Sequence, residues 1–593
     1  MGKIRSRTGI AVVAAIAGSL VLAACGGGGG ETSQGASGEA SAAASAAASP
    51  EAAGGSGTPQ QGGTITILTN AEQLQTMDPQ VIYTGEDLAF LGATIMRSLT
   101  TYQLSPDNAE GTSLVADMAT DTGTASNGGK TWSFTLKDGI KWEDGKPVTC
   151  ADVAYGVSRT FATDIIAGGP TYALVYLDIP TNEDGSSQYK GPYSGEGQEL
   201  FDKAVTCDGN TITFNLNQPV PDFNYTVTLG FSAVRKDADT GAEYADKPLS
   251  NGPYKIESYQ KGKGGKLVLV RNDQWDPATD SWRLALPDSW EYNFGLDEAA
   301  IDQRIIASAG PDEYALTNGL TTASLPIVFD NPQYEARRID AFDPYTRYIA
   351  IDTVKVPNEK CRQAFGVALN REALRTIAGG KYAGDYADGL IKPNIGIDYA
   401  PTGLWEGLLG QPVPDTGDAE FAKKLIAEAG DCPKEVTLDY AQSADADKGA
   451  AVWVDSFKAI GITLKPNPIE PGQYYGIVFD PEKAHELITA GWGPDWPNAS
   501  TVIPPLTTLN GGFDLSRWDD PAWNDKVKAA SQELDRAKQA TMWQELNTEV
   551  AKRMLVIPTR FGRDQRMAGT KVGPVYSWPA YGSWPYAAMG VTG

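Results

Sequence analysis

The chain has 593 residues and carries 74 acidic against 49 basic side chains, a formal net charge of −25. That charge repels nucleic acid and anionic membrane surfaces, and favours solubility and the steering of cationic ligands. A single histidine, His485, in a helix-like context argues against a Ser-His-Asp triad or a His-rich zinc site, and no cofactor or metal is expected.

The elements in chain order begin with Lys3, Arg5 and Arg7, an apolar run from Ile10 to Ala24, and Cys25. A run of that length falls short of the roughly twenty residues that span a bilayer, so 1–24 reads as an export signal. Leu22-Ala23-Ala24-Cys25 resembles the lipobox of bacterial lipoproteins, which implies lipidation of Cys25 and cleavage before it. After Cys25, residues 26–61 are Gly, Ala, Ser, Pro, Gln, Thr and a few Glu with no aromatic side chain, and 25–61 reads as the lipidated cysteine and a disordered tether. A tether after a lipobox suits a Gram-positive cell, with the chain on the extracellular face held by its lipid anchor alone.

The remaining stretch of about 530 residues has apolar content for two or three lobes. Strands are predicted at Thr64–Leu68, Trp132–Leu136, Thr211–Leu216 and Lys266–Val270, and helices over Arg362–Ile377, Asp418–Ala429, Ala450–Ile460 and Ala537–Leu555. Strands mixed with helices throughout indicate an α/β class. Lys261–Lys266 lacks the context of a phosphate loop and reads as a hairpin turn. Trp518 and Trp523 read as packing at a helix start.

The segment Lys130–Tyr155 reads as a strand, turns at Asp138-Gly139 and Asp144-Gly145, and a helix capped by Thr149. It resembles a signature of the family 5 extracellular solute-binding proteins, the oligopeptide- and dipeptide-binding proteins of ABC importers. Further similarities follow in order at Ser98–Tyr102, Leu114–Ala116, Asn251–Tyr254, Val270–Asn272 with Trp275, Cys361–Phe365, Asn370–Leu374, Gly491–Pro497 and Val556–Pro558.

The resemblance implies a periplasmic-binding-protein-like fold: two α/β lobes joined by a hinge, plus an extra lobe on the N-terminal side. The division expected is 62–97, 231–315 and 556–593 for lobe I, 98–230 for the extra lobe II, and 316–555 for lobe III. Four cysteines besides Cys25 allow three pairings, of which Cys150 with Cys207 and Cys361 with Cys432 keep each bridge within one lobe.

The resemblance also implies a monomer that binds a peptide or peptide-like solute and docks on ABC importer permease subunits, without catalysis. Asp495 is the residue it aligns with the aspartate that pairs with a ligand's terminal ammonium. Trp492 and Trp496 flank it as aromatic walls, and Tyr83 and Thr84 lie in a segment that resembles one lining the cleft. Pro494, Trp496 and Asn498 depart from the usual pattern there, which bears on peptide specificity. The same scaffold serves oligosaccharides, nickel chelates and other small solutes; outside the family, the alternatives are a surface-anchored hydrolase and a sensory receptor.

Overall fold

The computed structural model describes residues 57–593 except Asn510. The export signal, Cys25 and the tether up to residue 56 lie outside the described residues.

Thr64–Leu68 alternates so that Ile65 and Ile67 enter one apolar cluster with Phe90, Trp290 and Trp584, while Leu68 enters another with Ile301 and Ile305. A strand buried on both faces suits parallel pairing, and this one runs parallel to both Ser289–Asn293 and Ala315–Thr317. Lys266–Arg271 and Tyr254–Tyr259 complete a five-stranded sheet as an antiparallel hairpin, with the lysine-rich 261–266 segment as its turn. Leu320, Val328, Phe329 and Tyr334 also pack with Ile301 and Ile305, so the chain stays on this lobe up to strand Arg338–Ile351.

Thr124–Ser126, Thr131–Thr135, Thr211–Asn215 and Val205–Asp208 form a separate four-stranded antiparallel sheet with its own core around Trp132, Phe134 and Phe214. The turns of the 130–155 segment form as predicted, with Gly139 and Gly145 at φ +86° and +87°. Thr149 and Asp152 close a capping box on helix Cys150–Arg159. Cys150–Cys207 links this helix to the sheet, and Cys361–Cys432 links helix Glu359–Ala368 to the loop that follows helix Ala419–Ala429 in the third lobe, which are the two pairings preferred from the sequence.

The third lobe is a six-stranded sheet in the order Asp385–Tyr386, Val556–Met567, Arg338–Ile351, Leu487–Trp492, Glu435–Ala441, Thr463–Ile469. Helices cover both faces, giving one core around Phe365, Trp453 and Phe457 and another around Tyr348, Trp523 and Trp543. The helix predicted over 362–377 is two helices, Glu359–Ala368 and Arg371–Ile377, because Asn370 accepts from the Ala373 amide at 2.9 Å and starts a new helix.

Two long antiparallel strands, Arg338–Ile351 and Val556–Met567, connect the first and third lobes. At one end Ile339 and Met567 pack in clusters of the first lobe; at the other, Ile349, Ile351 and Ile557 pack in the third. Pairing is interrupted between Phe342 and Thr346 and again between Arg347 and Tyr348. Irregularities midway between two cores put the ladder's weakest stretch at the junction, where a hinge belongs.

A buried ion network ties the extra lobe to the first. Arg97 and Arg283 meet Asp117 at 2.9 and 2.8 Å, and Arg283 meets Asp280 at 2.8 Å, with none of these side chains more than 1% exposed. Burial alone would raise the Asp117 carboxyl; Arg283 and Arg97 overcome it and hold it well below the usual carboxylate range.

Candidate functional site

Strand Leu487–Trp492 ends on the side of its sheet that faces the first lobe, and its carboxyl end opens into the loop carrying Asp495. Crevices at the carboxyl ends of such strands are where open α/β sheets take ligands. Asn498 shapes the loop by accepting from the Ser500 amide at 2.9 Å, and the Asp495 amide donates to Thr501 Oγ1 at 3.2 Å.

Three parts of the fold converge on the Asp495 carboxylate. Tyr83, from the first lobe, donates its hydroxyl to Oδ1 at 2.6 Å, and Tyr172, from a short helix of the extra lobe, donates to Oδ2. Both donors are neutral, and among the described residues no Arg, Lys or His pairs with this carboxylate. Burial pushes Asp495 up to about 6, with the hydrogen bonds from Tyr172 and Tyr83 pulling the other way. Both tyrosines are pushed well above their ordinary value by burial and then by the Asp495 charge, so they stay protonated donors.

Trp496 is buried and bonded across the lobes: its indole N–H donates to Asp222 Oδ2 at 2.7 Å, and its ring lies 4.7 Å from that of Tyr172. Ser500 donates to the same Asp222 oxygen at 2.5 Å. Trp492 points elsewhere, donating to the Thr501 carbonyl at 2.7 Å and packing 4.7 Å from Phe513. Phe513 continues to Phe479 and Tyr475, both more than a third exposed, giving an aromatic row at the mouth of the crevice.

Thr84 sits at the start of helix Gly85–Thr94, but its hydroxyl does not cap that helix. The Gln75 side chain accepts from the amides of Tyr83 and Thr84, just before the helix, at 3.0 and 2.9 Å. Gln75 thereby fixes Tyr83 toward Asp495, while no hydrogen bond links Thr84 to the carboxylate. Of the sequence candidates, the structure brings Tyr83, Asp495 and Trp496 into one constellation. Trp492 lines its flank, and Thr84 belongs to the support.

Tyr172, Asp222, Tyr475 and Phe479 were missed, because their place at the site comes from lobe packing and no local motif announces it. His485 is part-exposed and its Nδ1 lies 2.7 Å from the buried Asp439 carboxylate, away from this constellation. Trp523 is buried with its N–H on the Thr507 carbonyl at 2.9 Å, as packing at a helix start requires.

A multi-lobed α/β chain whose lobes meet over a buried carboxylate is a solute-binding protein of the periplasmic-binding type. Residues 113–514, more than half of the chain, match the model of the bacterial extracellular solute-binding proteins, family 5, and the chain belongs to that family. Members of this family, and the relatives found, are binding proteins.

The oligopeptide-binding protein OppA of Bacillus subtilis is 24% identical over 453 residues, 74% of this chain and 78% of that protein. Among solved structures, the clavulanic acid biosynthesis oligopeptide binding protein 2 superposes with a TM-score of 0.81 at 28% identity, covering 91% of this chain and 99% of that one. The DppA protein of Helicobacter pylori in complex with the peptide STSA shares the fold, with a TM-score of 0.64 at 18% identity over 90% of this chain and 99% of that one.

Proposed function

We propose that this chain captures peptides outside the membrane by closing its lobes on them and delivers them to the permease of an ABC importer, with Asp495 receiving the ligand's terminal ammonium. One observation carries the reading. A carboxylate buried between lobes with only neutral donors is uncompensated, and a cation that replaces a tyrosine hydroxyl gains a charge-assisted bond the protein itself does not supply.

The names of the relatives, which are oligopeptide- and dipeptide-binding proteins, support the same ligand class. The role is capture without catalysis, by a monomer held through lipid on Cys25 at the extracellular face. Among the described residues no helix is long and apolar enough to cross a membrane. For the lobes we propose the division expected from the sequence, with passage into the third lobe at about residue 338, which the packing of residues 320–334 on the first lobe supports.

The test is calorimetry and thermal shift on ligand-stripped protein with free peptides, N-acetylated peptides and oligosaccharides. Stabilisation by free peptides that disappears on N-acetylation is the expected result. Stabilisation by sugars alone overturns the peptide assignment.

A further inference from the structure

Trp496, the neighbour of Asp495, takes part in a second contact between lobes, centred on Asp222. Asp222 lies between Val220 and Phe223, which are both buried in the core of the extra lobe with Trp132 and Phe214. Its carboxylate is buried but turned out of that lobe: Oδ2 accepts from the Trp496 indole at 2.7 Å and from the Ser500 hydroxyl at 2.5 Å. Among the described residues no cation pairs with it. Arg536, whose charge acts on it from the third lobe, is committed to Asp398 at 2.5 Å.

The loop that supplies the two donors belongs to the third lobe. Ala499, Val502 and Ile503 pack in its core, and the Ala499 amide donates to the buried Asp398 at 2.7 Å. Trp496 does not join that core. Its ring packs in the first-lobe cluster and stands 4.7 Å from Tyr172 of the extra lobe. Leu534 of the third lobe also meets the extra lobe, since a Cβ on Gly129 would stand 3.4 Å from Leu534 Cδ2.

These contacts span the hinge. The extra lobe is tied to the first by the buried network of Arg97, Arg283 and Asp117, so a grip by Asp222 on the third lobe draws the first lobe with it. Both bonds are charge-assisted and shielded from water, which makes them stronger than neutral ones. They join protein groups alone, so they form in the closed arrangement whatever the chemistry of the ligand.

We propose that Asp222 is a positioning residue for solute capture: from the extra lobe it latches the 496–500 segment of the third lobe, holding the cleft closed with Asp495 in place beside it. The extra lobe is thereby part of the closing machinery. Apparent affinity scales with the fraction of the chain in the binding-competent form, so a latch that populates the closed form tightens capture. The latch does not depend on the peptide reading.

The experiment compares ligand-stripped wild type with Asp222→Ala, Asp222→Asn and Trp496→Phe, with thermal denaturation to confirm folding. Amide hydrogen exchange over 494–501, read by mass spectrometry, reports opening of the third-lobe loop, and small-angle scattering reports the radius of gyration. Asp222→Ala is expected to speed exchange over 494–501 by about tenfold to a hundredfold and to raise the radius of gyration. Asp222→Asn keeps an oxygen that both donors can use, and should restore exchange close to wild type. Trp496→Phe keeps a ring but drops the N–H; it should act in the same direction as Asp222→Ala and add little to it in the double variant, since that bond is already lost.

Exchange and radius of gyration unchanged in Asp222→Ala overturn the latch. Faster exchange at an unchanged radius of gyration makes Asp222 a local brace and overturns it as well. An Asp222→Asn protein that exchanges as fast as Asp222→Ala does the same, since an acceptor at that point would then not hold the loop. Should Asp222→Ala fail to fold, Ser500→Ala carries the same test with one donor removed and the extra-lobe core untouched.

Discussion

Replacing Asp495 by asparagine should move stability and binding in opposite directions. In the ligand-free protein the carboxyl is raised from 3.8 to about 6 by burial. At about 1.4 kcal/mol per pKa unit, holding it ionised at pH 7.5 costs about 3 kcal/mol. Asparagine removes the charge and keeps an acceptor for one tyrosine hydroxyl, so Asp495→Asn should stabilise the free protein by up to about 3 kcal/mol. The same change removes the partner of the ligand's ammonium, and losing one member of a buried charge pair costs about 2–5 kcal/mol, or about thirtyfold to a few thousandfold in Kd. Chemical denaturation of ligand-stripped protein gives the first quantity and calorimetry with a free peptide the second. A variant that is less stable than wild type and binds peptide as well would refute the reasoning on both counts.

Affinity for a free-amine peptide should fall about tenfold between pH 7.5 and 5, since about a tenth of a group titrating near 6 is ionised one unit below; calorimetry across that range should show a flat profile in Asp495→Asn. The folded protein holds this proton more tightly than the unfolded chain, so the group's contribution to stability is present below pH 4 and lost as pH rises through 6. Asp87, Asp514 and Asp564, also raised by burial to about 6, act in the same direction, which denaturation midpoints measured at pH 4.5 and 7 should register. Asp117→Ala should destabilise by about 3–5 kcal/mol by leaving Arg97 and Arg283 buried without their shared partner, read as a lowered denaturation midpoint. Opening either disulfide, whose cysteines lie 57 and 71 residues apart, should cost about 4 kcal/mol on loop-closure grounds, checked by denaturation of Cys150→Ser/Cys207→Ser and Cys361→Ser/Cys432→Ser.

Local chemistry made much of the scaffold legible. Thr149 as a helix cap and the glycines after Asp138 and Asp144 specify a cap and turns with short-range partners, and each formed as read, while Asp418, read as the first residue of a helix, is its cap. The 362–377 helix was misjudged because apolar spacing continues through a residue, Asn370, whose side chain bonds more favourably to the next turn's amide than the helix can use it.

At the site, Asp495 and Tyr83 stand out through resemblance, but their meeting with Tyr172 joins positions 323 residues apart. No periodicity encodes such a contact. Trp496 shows the converse, since an aromatic residue beside a binding aspartate reads as a ligand wall, and here its indole is already engaged by Asp222.

A crystal structure of the protein with a bound tripeptide tests the central claim most directly. The account predicts the peptide's ammonium nitrogen within about 3 Å of the Asp495 carboxylate, with at least one of the Tyr83 and Tyr172 hydroxyls displaced from it. A peptide seated elsewhere, with both tyrosine bonds to Asp495 intact, would contradict it.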